Sequence, residues 1–459
     1  MASTAASPEQ ETGSAPAAAG VVAGAGRRAA RRRLEARDLA LWLAAASSLL
    51  VWGWLVSCYW PARMPYDATS GVWTALADDW AHGVLYRPLH GALGYGGTRY
   101  MPLYFVLQGT LMRVGAGPVA AGAALTAASL VLFLAGTYAV LRALGVARAR
   151  AAGHALLLPG FVSVQLLTLA TRGDLLASAL VLWGLQGVLR NRDGRAAGAW
   201  TLAFATKLTA VWAPLLLVGW LLLRGERRRA GRLLALVVGG VALVAGSTVL
   251  ASDGRVLAAF AAVAAGGSSW RDALAAPWRL LYSARLDPFF LAVAGVALVL
   301  AARRLGRAGR DLPSLWAAGA LLSSVLIFTT AGADWNHVLD LLTAAVLLLA
   351  LEARPLEATL LALLFAAAQL LSQLPGMPAA RHYFEAHGRP SVAALERSAR
   401  RIPPGRPLLS QDPLFPLLRS ERPEVSDAFS LRLLAARDGG IAREFSRKLH
   451  DHYYGAVIL

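Results

Sequence analysis

Long apolar runs, separated by short polar stretches rich in arginine, set the rhythm of this chain. A run over 39–60 is followed by a long mixed stretch at about 61–118. Apolar segments then recur near 119–143, 152–170, 175–190, 196–208, 210–223, 232–251, 286–302, 313–331, 338–351 and 357–374. About 20 apolar residues span the ~30 Å hydrocarbon core of a bilayer as a helix, so the pattern predicts an all-α polytopic membrane protein with about eleven transmembrane helices. Several runs are short for a full crossing, which predicts broken or shallow helices packed inside protein. No internal repeat is visible, inverted or direct, so the usual sequence mark of a secondary transporter is missing.

The two ends of the chain differ from the middle. Residues 1–26 lack apolar periodicity, and Arg27, Arg28, Arg31, Arg32, Arg33 and Arg37 precede the first run. This predicts a disordered basic cytoplasmic tail over 1–38. The run at 39–60 is too long for the core of a cleaved signal peptide and lacks a small-residue cleavage pattern. It opens a transmembrane domain over 39–375, with a long first outer loop at 61–118. Residues 376–459 are Pro-rich and charged, with short apolar runs at 407–409 and 456–459. They predict a small extracytoplasmic C-terminal domain, read as α/β, although such short runs do not by themselves separate strand from helix.

Charge turns this pattern into an orientation. A formal charge of +18 would suggest nucleic acid in a soluble protein, but 57% of this chain is hydrophobic and its arginines sit in short clusters between apolar runs. The bilayer, not nucleic acid, is the expected partner. With the N-terminus cytoplasmic, the clusters Arg142/Arg148/Arg150, Arg190/Arg192/Arg195, Arg224/Arg227/Arg228/Arg229/Arg232 and Arg303/Arg304/Arg307/Arg310 all fall inside, as the positive-inside rule requires. The expected location is the inner cell membrane, with the C-terminus extracytoplasmic. The outer side then receives 61–118, 171–174, 252–285, 332–337 and the segment from 375 onward. Cys58 is the only cysteine, so a metal site would have to use Asp, Glu or His.

Candidate chemistry collects on that outer side. Asp67 follows the first span closely, where it either caps the helix starting near Ala68 or faces a substrate carried on a lipid. Trp73, Leu76, Ala77 and Trp80 form a helical stripe over 68–82 that predicts an interfacial amphipathic helix, with Asp78 and Asp79 on its polar face. Asp174, in Arg172-Gly173-Asp174, either caps span four or joins Asp67 in holding a divalent cation or flanking a hydroxyl. Lys207 and Lys448 are the only lysines among 45 basic residues. Lys207 lies between two short apolar runs, either snorkelling to the interface or meeting a phosphate. Arg271, Arg279 and Arg285 break the positive-inside trend and are either solvated or bind an anionic head group. Asp334, Asn336 and His337 sit at an outer turn beside Trp335, an interfacial anchor. His82 and His90 lack metal-pair spacing.

In this order and on this side, the motifs resemble those of the polytopic glycosyltransferases of the C-type fold, including the protein O-mannosyltransferase-like and aminoarabinose-transferase-like branches. The residues that carry the likeness are Tyr66-Asp67, then Gly83 to Tyr86-Arg87-Pro88, then Tyr100, Pro102 and Tyr104-Phe105. Asp174, Thr206-Lys207 and the turn from Gly332 to Asn336 follow, and the tail adds Leu409 to Pro413 and Tyr454 to Leu459. In one departure, Asp67 is followed by Ala68 where many members carry a second acid.

The resemblance implies a polyprenyl-phosphate sugar as donor, a glycan, lipid or protein acceptor, and transfer with inversion. It implies Asp67 as general base, Lys207, Arg172 and Arg279 as donor-phosphate ligands, and Tyr86, Arg87, Tyr100, Tyr104 and Asn336 as substrate-positioning residues. A divalent cation at Asp174 is the one cofactor it suggests. Residues alone leave two rivals open: a transporter, which should carry ionisable residues mid-span, and a non-catalytic cell-envelope scaffold.

Overall fold

The computed structural model describes residues 17–59, 67–264, 269–285, 287–308, 311–330, 333–352, 355–373, 397, 401–402 and 406–458. Tyr66, Gly332, Arg310, Leu459, residues 1–16 and the stretch 375–396 lie outside them. The chain is built from helices. In order they are α1 (Ala17–Tyr59), α2 (Ala68–Ala81), α3 (Leu103–Arg113), α4 (Pro118–Ala143), α5 (Arg148–Leu157), α6 (Val162–Thr168), α7 (Asp174–Leu189) and α8 (Asp193–Thr206). There follow α9 (Trp212–Leu223), α10 (Arg227–Ala251), α11 (Arg255–Ala264), α12 (Trp270–Ala284), α13 (Pro288–Ala308), α14 (Leu312–Ile327), α15 (Leu339–Glu352) and α16 (Pro355–Gln373).

Among the described residues four helices are long and apolar enough to cross a membrane: Ala36–Ser57, Pro118–Ala143, Arg227–Ala251 and Phe289–Gly306. The pair Arg148–Gly160 and Val162–Thr168, bent by 74°, is apolar enough only when taken together, as a broken span or a re-entrant loop. Five further apolar helices are shorter than a full crossing, as the run lengths predicted. Of the expected tail, the described residues 17–38 lie in α1, which starts at Ala17. Its alanines and arginines rank among the best helix formers, and a helix already nucleated at 39 propagates into them cheaply.

Small residues let these helices approach. At Gly184 of α7 an added Cβ would lie 2.2 Å from the Trp200 indole nitrogen of α8, so the bulky ring is seated where a side chain is missing. Ser47 and Ser48 of α1 both donate to Gln369 Oε1 of α16, at 3.0 and 3.3 Å, giving a polar clasp inside apolar surroundings.

The chain trace separates two ends of the bundle. Because α7 runs from Asp174 to Leu189, its far end meets the start of α10, where Arg229 donates to Val188 O and, with Arg232, grips Asp193. Arg304 pairs with Asp311 where α13 turns into α14. The opposite end carries Asp174, the α8–α9 break at Lys207, the turn before α15 and the C-terminal segment.

That segment contains β1 (Leu408–Ser410), α17 (Leu414–Leu417), α18 (Ala428–Ala435), α19 (Gly439–His450) and β2 (Ala456–Ile458), the two strands pairing in parallel with Leu408 opposite Ala456. It does not stand apart from the loops. Tyr95 bridges to Val425 and shares a core with Leu409, Val425, Leu431, Leu434, Ile441 and Tyr454.

This packing corrects the reading of 68–82 as an interfacial helix. Both faces of α2 are buried, one against α3 and α4, the other under α17 and its preceding loop, where Asp412 Oδ1 would lie 2.0 Å from a Cβ at Gly71. Asp79, expected on a polar face, is 1% exposed and accepts a bidentate pair of hydrogen bonds from Arg87, each 2.7 Å. The interfacial character belongs to α12, where Trp270, Leu274, Trp278, Leu281 and Tyr282 form an exposed apolar stripe.

Candidate active site

Asp67, Asp174 and Lys207, far apart in sequence, converge. Asp67 caps α2: its Oδ1 accepts from the Ser70 amide at 2.9 Å and the Ser70 hydroxyl at 2.6 Å. Its Oδ2 accepts from Arg172 Nη1 at 2.8 Å. The capping and the chemical readings of Asp67 are therefore compatible, since one oxygen serves each. Ser70 also accepts from the Thr171 amide at 2.9 Å, tying the cap of α2 to the turn before α7.

Arg172 bridges the two acids. Its Nε lies 3.2 Å from Asp174 Oδ2, and its guanidinium sits 5.7 Å from the centre of the Trp335 ring. Asp174 opens α7 as its first residue, where a negative charge is favoured by the unpaired amides of the helix start. Its Oδ1 receives Lys207 Nζ and, at 2.7 Å, Asn336 Nδ2. Lys207 is positioned by a break: the backbone turns extended between α8 and the short 3-10 turn Leu208–Val211. Gly173 makes the approach possible, because a Cβ there would meet Thr206 at 3.0 Å, Trp73 at 3.1 Å and Tyr104 at 3.4 Å.

The side chains grade from the interior outward, with Asp174 5%, Arg172 11%, Asp67 20% and Lys207 24% exposed. The cluster is electroneutral and opens toward solvent at Asp67 and Lys207. Trp73 and Tyr100 stack beside it at 4.4 Å, and Tyr104 meets Trp73 edge-on at 5.3 Å. Trp73 Nε1 and Asn336 Oδ1 are buried without a hydrogen-bond partner. Such unsatisfied groups are rare in folded proteins, and a polar ligand is one way to satisfy them.

Other expected site residues are placed elsewhere or used structurally. Arg87 is 2% exposed and donates to Asp79, Leu93 O at 2.9 Å and Pro423 O at 2.7 Å, so it joins α2 to the C-terminal segment and is not open to substrate. Arg279 pairs with Asp272 at 2.6 Å on the half-exposed face of α12 and makes no contact with the cluster. Tyr86 donates to Tyr100 O at 2.8 Å, and the Tyr104 hydroxyl pairs with Thr126 at 2.9 Å. Both are buried props behind Trp73 and Tyr100.

The donor set does not suit a divalent cation. Asp174 is surrounded by Lys207, Arg172 and an amide N–H, all of them donors, and no group of three His, Cys, Asp or Glu side chains gathers among the described residues. Asp334 caps the turn before α15 by accepting from the Trp335 amide at 2.8 Å.

The sequence reading missed Ser70 and Asp340. Ser70 lies three residues after Asp67, the spacing at which a cap and a helix residue meet. Asp340 lies within an apolar run, a placement that is costly unless satisfied. Here Ser178 donates to its Oδ1 at 2.6 Å and Trp212 Nε1 to its Oδ2 at 2.9 Å.

With this geometry in hand, the chain can be set beside known proteins. No family model matches the sequence, and no characterised protein matches it at the sequence level. Solved structures do match. The crystal structure of ArnT from Cupriavidus metallidurans bound to undecaprenyl phosphate aligns with a TM-score of 0.57 at 16% identity, covering 88% of this chain and 90% of that one. The apo form of the same protein aligns with a TM-score of 0.56 over the same shares. The Archaeoglobus fulgidus oligosaccharyltransferase, crystallised with Zn and sulfate, aligns with a TM-score of 0.54 at 12% identity, covering 89% of this chain and 66% of that one. At such identities the likeness establishes architecture, and with the apolar helices it makes this a membrane protein with the C-type glycosyltransferase fold.

Proposed function

We propose that this chain is a membrane glycosyltransferase that moves a monosaccharide from a polyprenyl-phosphate donor to an extracytoplasmic acceptor, with inversion at the anomeric carbon. The observation that carries the reading is the Asp67–Arg172–Asp174–Lys207 cluster, drawn from three distant stretches to one end of a fold shared with two glycosyl-transferring enzymes. One of those neighbours was crystallised with undecaprenyl phosphate, the class of lipid proposed here as donor carrier. The proposed topology has about eleven crossings, counting the short helices. It places a cytoplasmic N-terminus in the inner membrane, the transmembrane part over 39–375 and an extracytoplasmic segment from 376 onward.

The step needs a base, a path for departing charge and a wall for the sugar. A carboxylate oxygen has two lone-pair directions, and Asp67 Oδ2 uses one for Arg172. The other takes the proton of the acceptor hydroxyl as its oxygen attacks the anomeric carbon. The bond from that carbon to the phosphate oxygen breaks with its electron pair. Lys207 and Arg172, held ready by Asp174, offset the charge that develops on the leaving polyprenyl phosphate. Trp73 and Tyr100 provide a flat aromatic wall, and Asn336 Oδ1 a vacant acceptor for a sugar hydroxyl. No step uses a metal, in keeping with the donor set around Asp174.

Asp67→Asn is the informative test, because Asn caps helices as well as Asp and can keep the Ser70 contacts. Purified protein in lipid would be incubated with a panel of polyprenyl-phosphate sugars, scoring release of polyprenyl phosphate. Loss of transfer by about 10²-fold or more is the expected result for removal of a general base, with the protein still folded because Arg172 keeps Asp174. Wild-type turnover by the variant would overturn the assignment.

A further inference from the structure

A second cavity lies at the opposite end of the bundle, away from the cluster. It is a slot between α1, α5, α13, α15 and α16, walled by Leu41, Leu157, Phe161, Val346, Leu361 and Phe365. At about 70 Å³ it is several times the space one water needs, and its walls offer water few hydrogen-bond partners. Along α16 it runs from Ala358 to Phe365, about 10 Å at the helical rise, into the depth of the bundle. Phe161 and Phe365, whose ring centres are 5.0 Å apart, both line it.

The mouth has a different chemistry. Arg37 and Arg150 line it, and Arg37 sits at the start of the membrane-crossing part of α1, which begins at Ala36. The Arg37 Nε and Nη2 atoms are buried without a hydrogen-bond partner. Asp38, the carboxylate between the two arginines, stands 3.9 Å from Arg37 Nε and 4.0 Å from Arg150 Nε, too far to satisfy either. The side chain of His154, also lining the slot, is turned to Arg150 O at 2.8 Å. Two guanidiniums facing one carboxylate leave net positive charge with unused donors at the level of lipid head groups.

An apolar slot opening at that level under two incompletely paired arginines fits a single amphiphile. We propose that it holds one anionic phospholipid of the leaflet at the basic end, with an acyl chain between the helices and the phosphate on Arg37 and Arg150. The site is separate from the Asp67 cluster and does not depend on the transfer reaction. Arginine donates to phosphate in a bidentate geometry that lysine lacks, which suits a fixed head group better than a diffuse basic surface would.

The test is lipid retention by the full-length protein extracted in mild detergent. After detergent exchange, bound lipid is quantified by mass spectrometry, and melting is followed with added phosphatidylglycerol, phosphatidylcholine or polyprenyl phosphate. Wild type should keep about one equivalent of anionic phospholipid, and phosphatidylglycerol should raise its melting temperature where phosphatidylcholine does not. Arg37→Gln with Arg150→Gln should weaken phosphatidylglycerol binding about 25-fold, at roughly fivefold per arginine near a head group. Ala362→Phe, which fills the slot from α16, should abolish retention with both arginines intact. Size-exclusion profiles matching wild type show that each variant is folded. The proposal is overturned if the double variant retains as much anionic lipid as wild type. It is equally overturned if phosphatidylcholine is retained in preference to phosphatidylglycerol, if the arginine double variant loses polyprenyl phosphate and not phosphatidylglycerol, or if folded Ala362→Phe keeps its anionic phospholipid.

Discussion

Replacing Asp174 by Asn deletes one charge from a cluster in which two cations and two carboxylates balance. Arg172 Nε lies 3.2 Å from Asp174 Oδ2, a gross attraction of about 5 kcal/mol at an effective dielectric of 20. Desolvation of both groups offsets much of that, so the net value of the pair is far smaller than the loss when one partner goes. Breaking such a buried pair costs about 3–5 kcal/mol, because the remaining charge is left uncompensated. Asp174→Asn strands Lys207 and half-strands Arg172, which keeps Asp67. Lys207→Met takes one counter-charge from Asp174, which keeps Arg172 and Asn336. The double variant removes both charges and restores balance, so its loss should fall short of the sum of the single losses by about 2 kcal/mol, within the range for directly contacting pairs. Unfolding in mixed micelles with increasing SDS gives the three free-energy differences. Additive losses would show that Lys207 and Asp174 do not interact in the folded protein, and would remove the scaffold on which the transfer mechanism rests.

Two further predictions concern groups outside the cluster. Arg87→Met leaves buried Asp79 with only Arg422, at 3.6 Å, and the Pro423 carbonyl without its donor, so it should destabilise by about 3 kcal/mol; proteolysis of the C-terminal segment should rise with it, and an unchanged cleavage pattern would refute the joining role. Asp287, 3% exposed just before the crossing part of α13, has its carboxyl pushed up to about 6 by burial, against the pull of amides from Phe290 and Ser163. A raised value means the folded state holds its proton more tightly than the unfolded one, so this contribution is complete below about 4 and lost as pH rises through about 6. Two pH units correspond to roughly 3 kcal/mol. Asp287→Asn should therefore gain stability relative to wild type on going from pH 4.5 to 7.5, and parallel melting curves for the two proteins across that window would contradict it.

What the sequence made legible follows from what is local in the physics. Apolar run length announces helices and their shortness. Asp67 could be recognised as a cap from Ala68 onward, because capping involves residues three apart. Burial of α2 could not, since its covering residues come from Asp412 to Leu417, some 340 positions later, and a helix with two partners carries the same stripe as one lying on a membrane. The partners of Arg87 and Arg279 were out of sight for the same reason: the type and side of a basic residue are visible in sequence, but its counter-charge is not. Interfacial character passed to α12 because no described residue covers its stripe.

Asp340 shows how the polar cluster is anchored in the apolar bundle. Asn336 reaches Asp174 and, four residues on, Asp340 reaches Ser178, itself four residues after Asp174. Residues four apart lie on one helical face, so two polar rungs join α7 to the start of α15 in register. A slip of either helix by one residue would break both rungs at once, leaving Asp340 unsatisfied among apolar side chains. The outer rung belongs to the cluster and the inner one to the bundle. An acid in mid-run, which could suggest a transport path, here accepts hydrogen bonds from Ser178 and Trp212 and leaves no free carboxylate oxygen. The same two rungs explain why a cluster assembled from three short loops can be rigid: Asp174 is fixed by the helix that bears it, and Arg172 and Lys207 are fixed by Asp174.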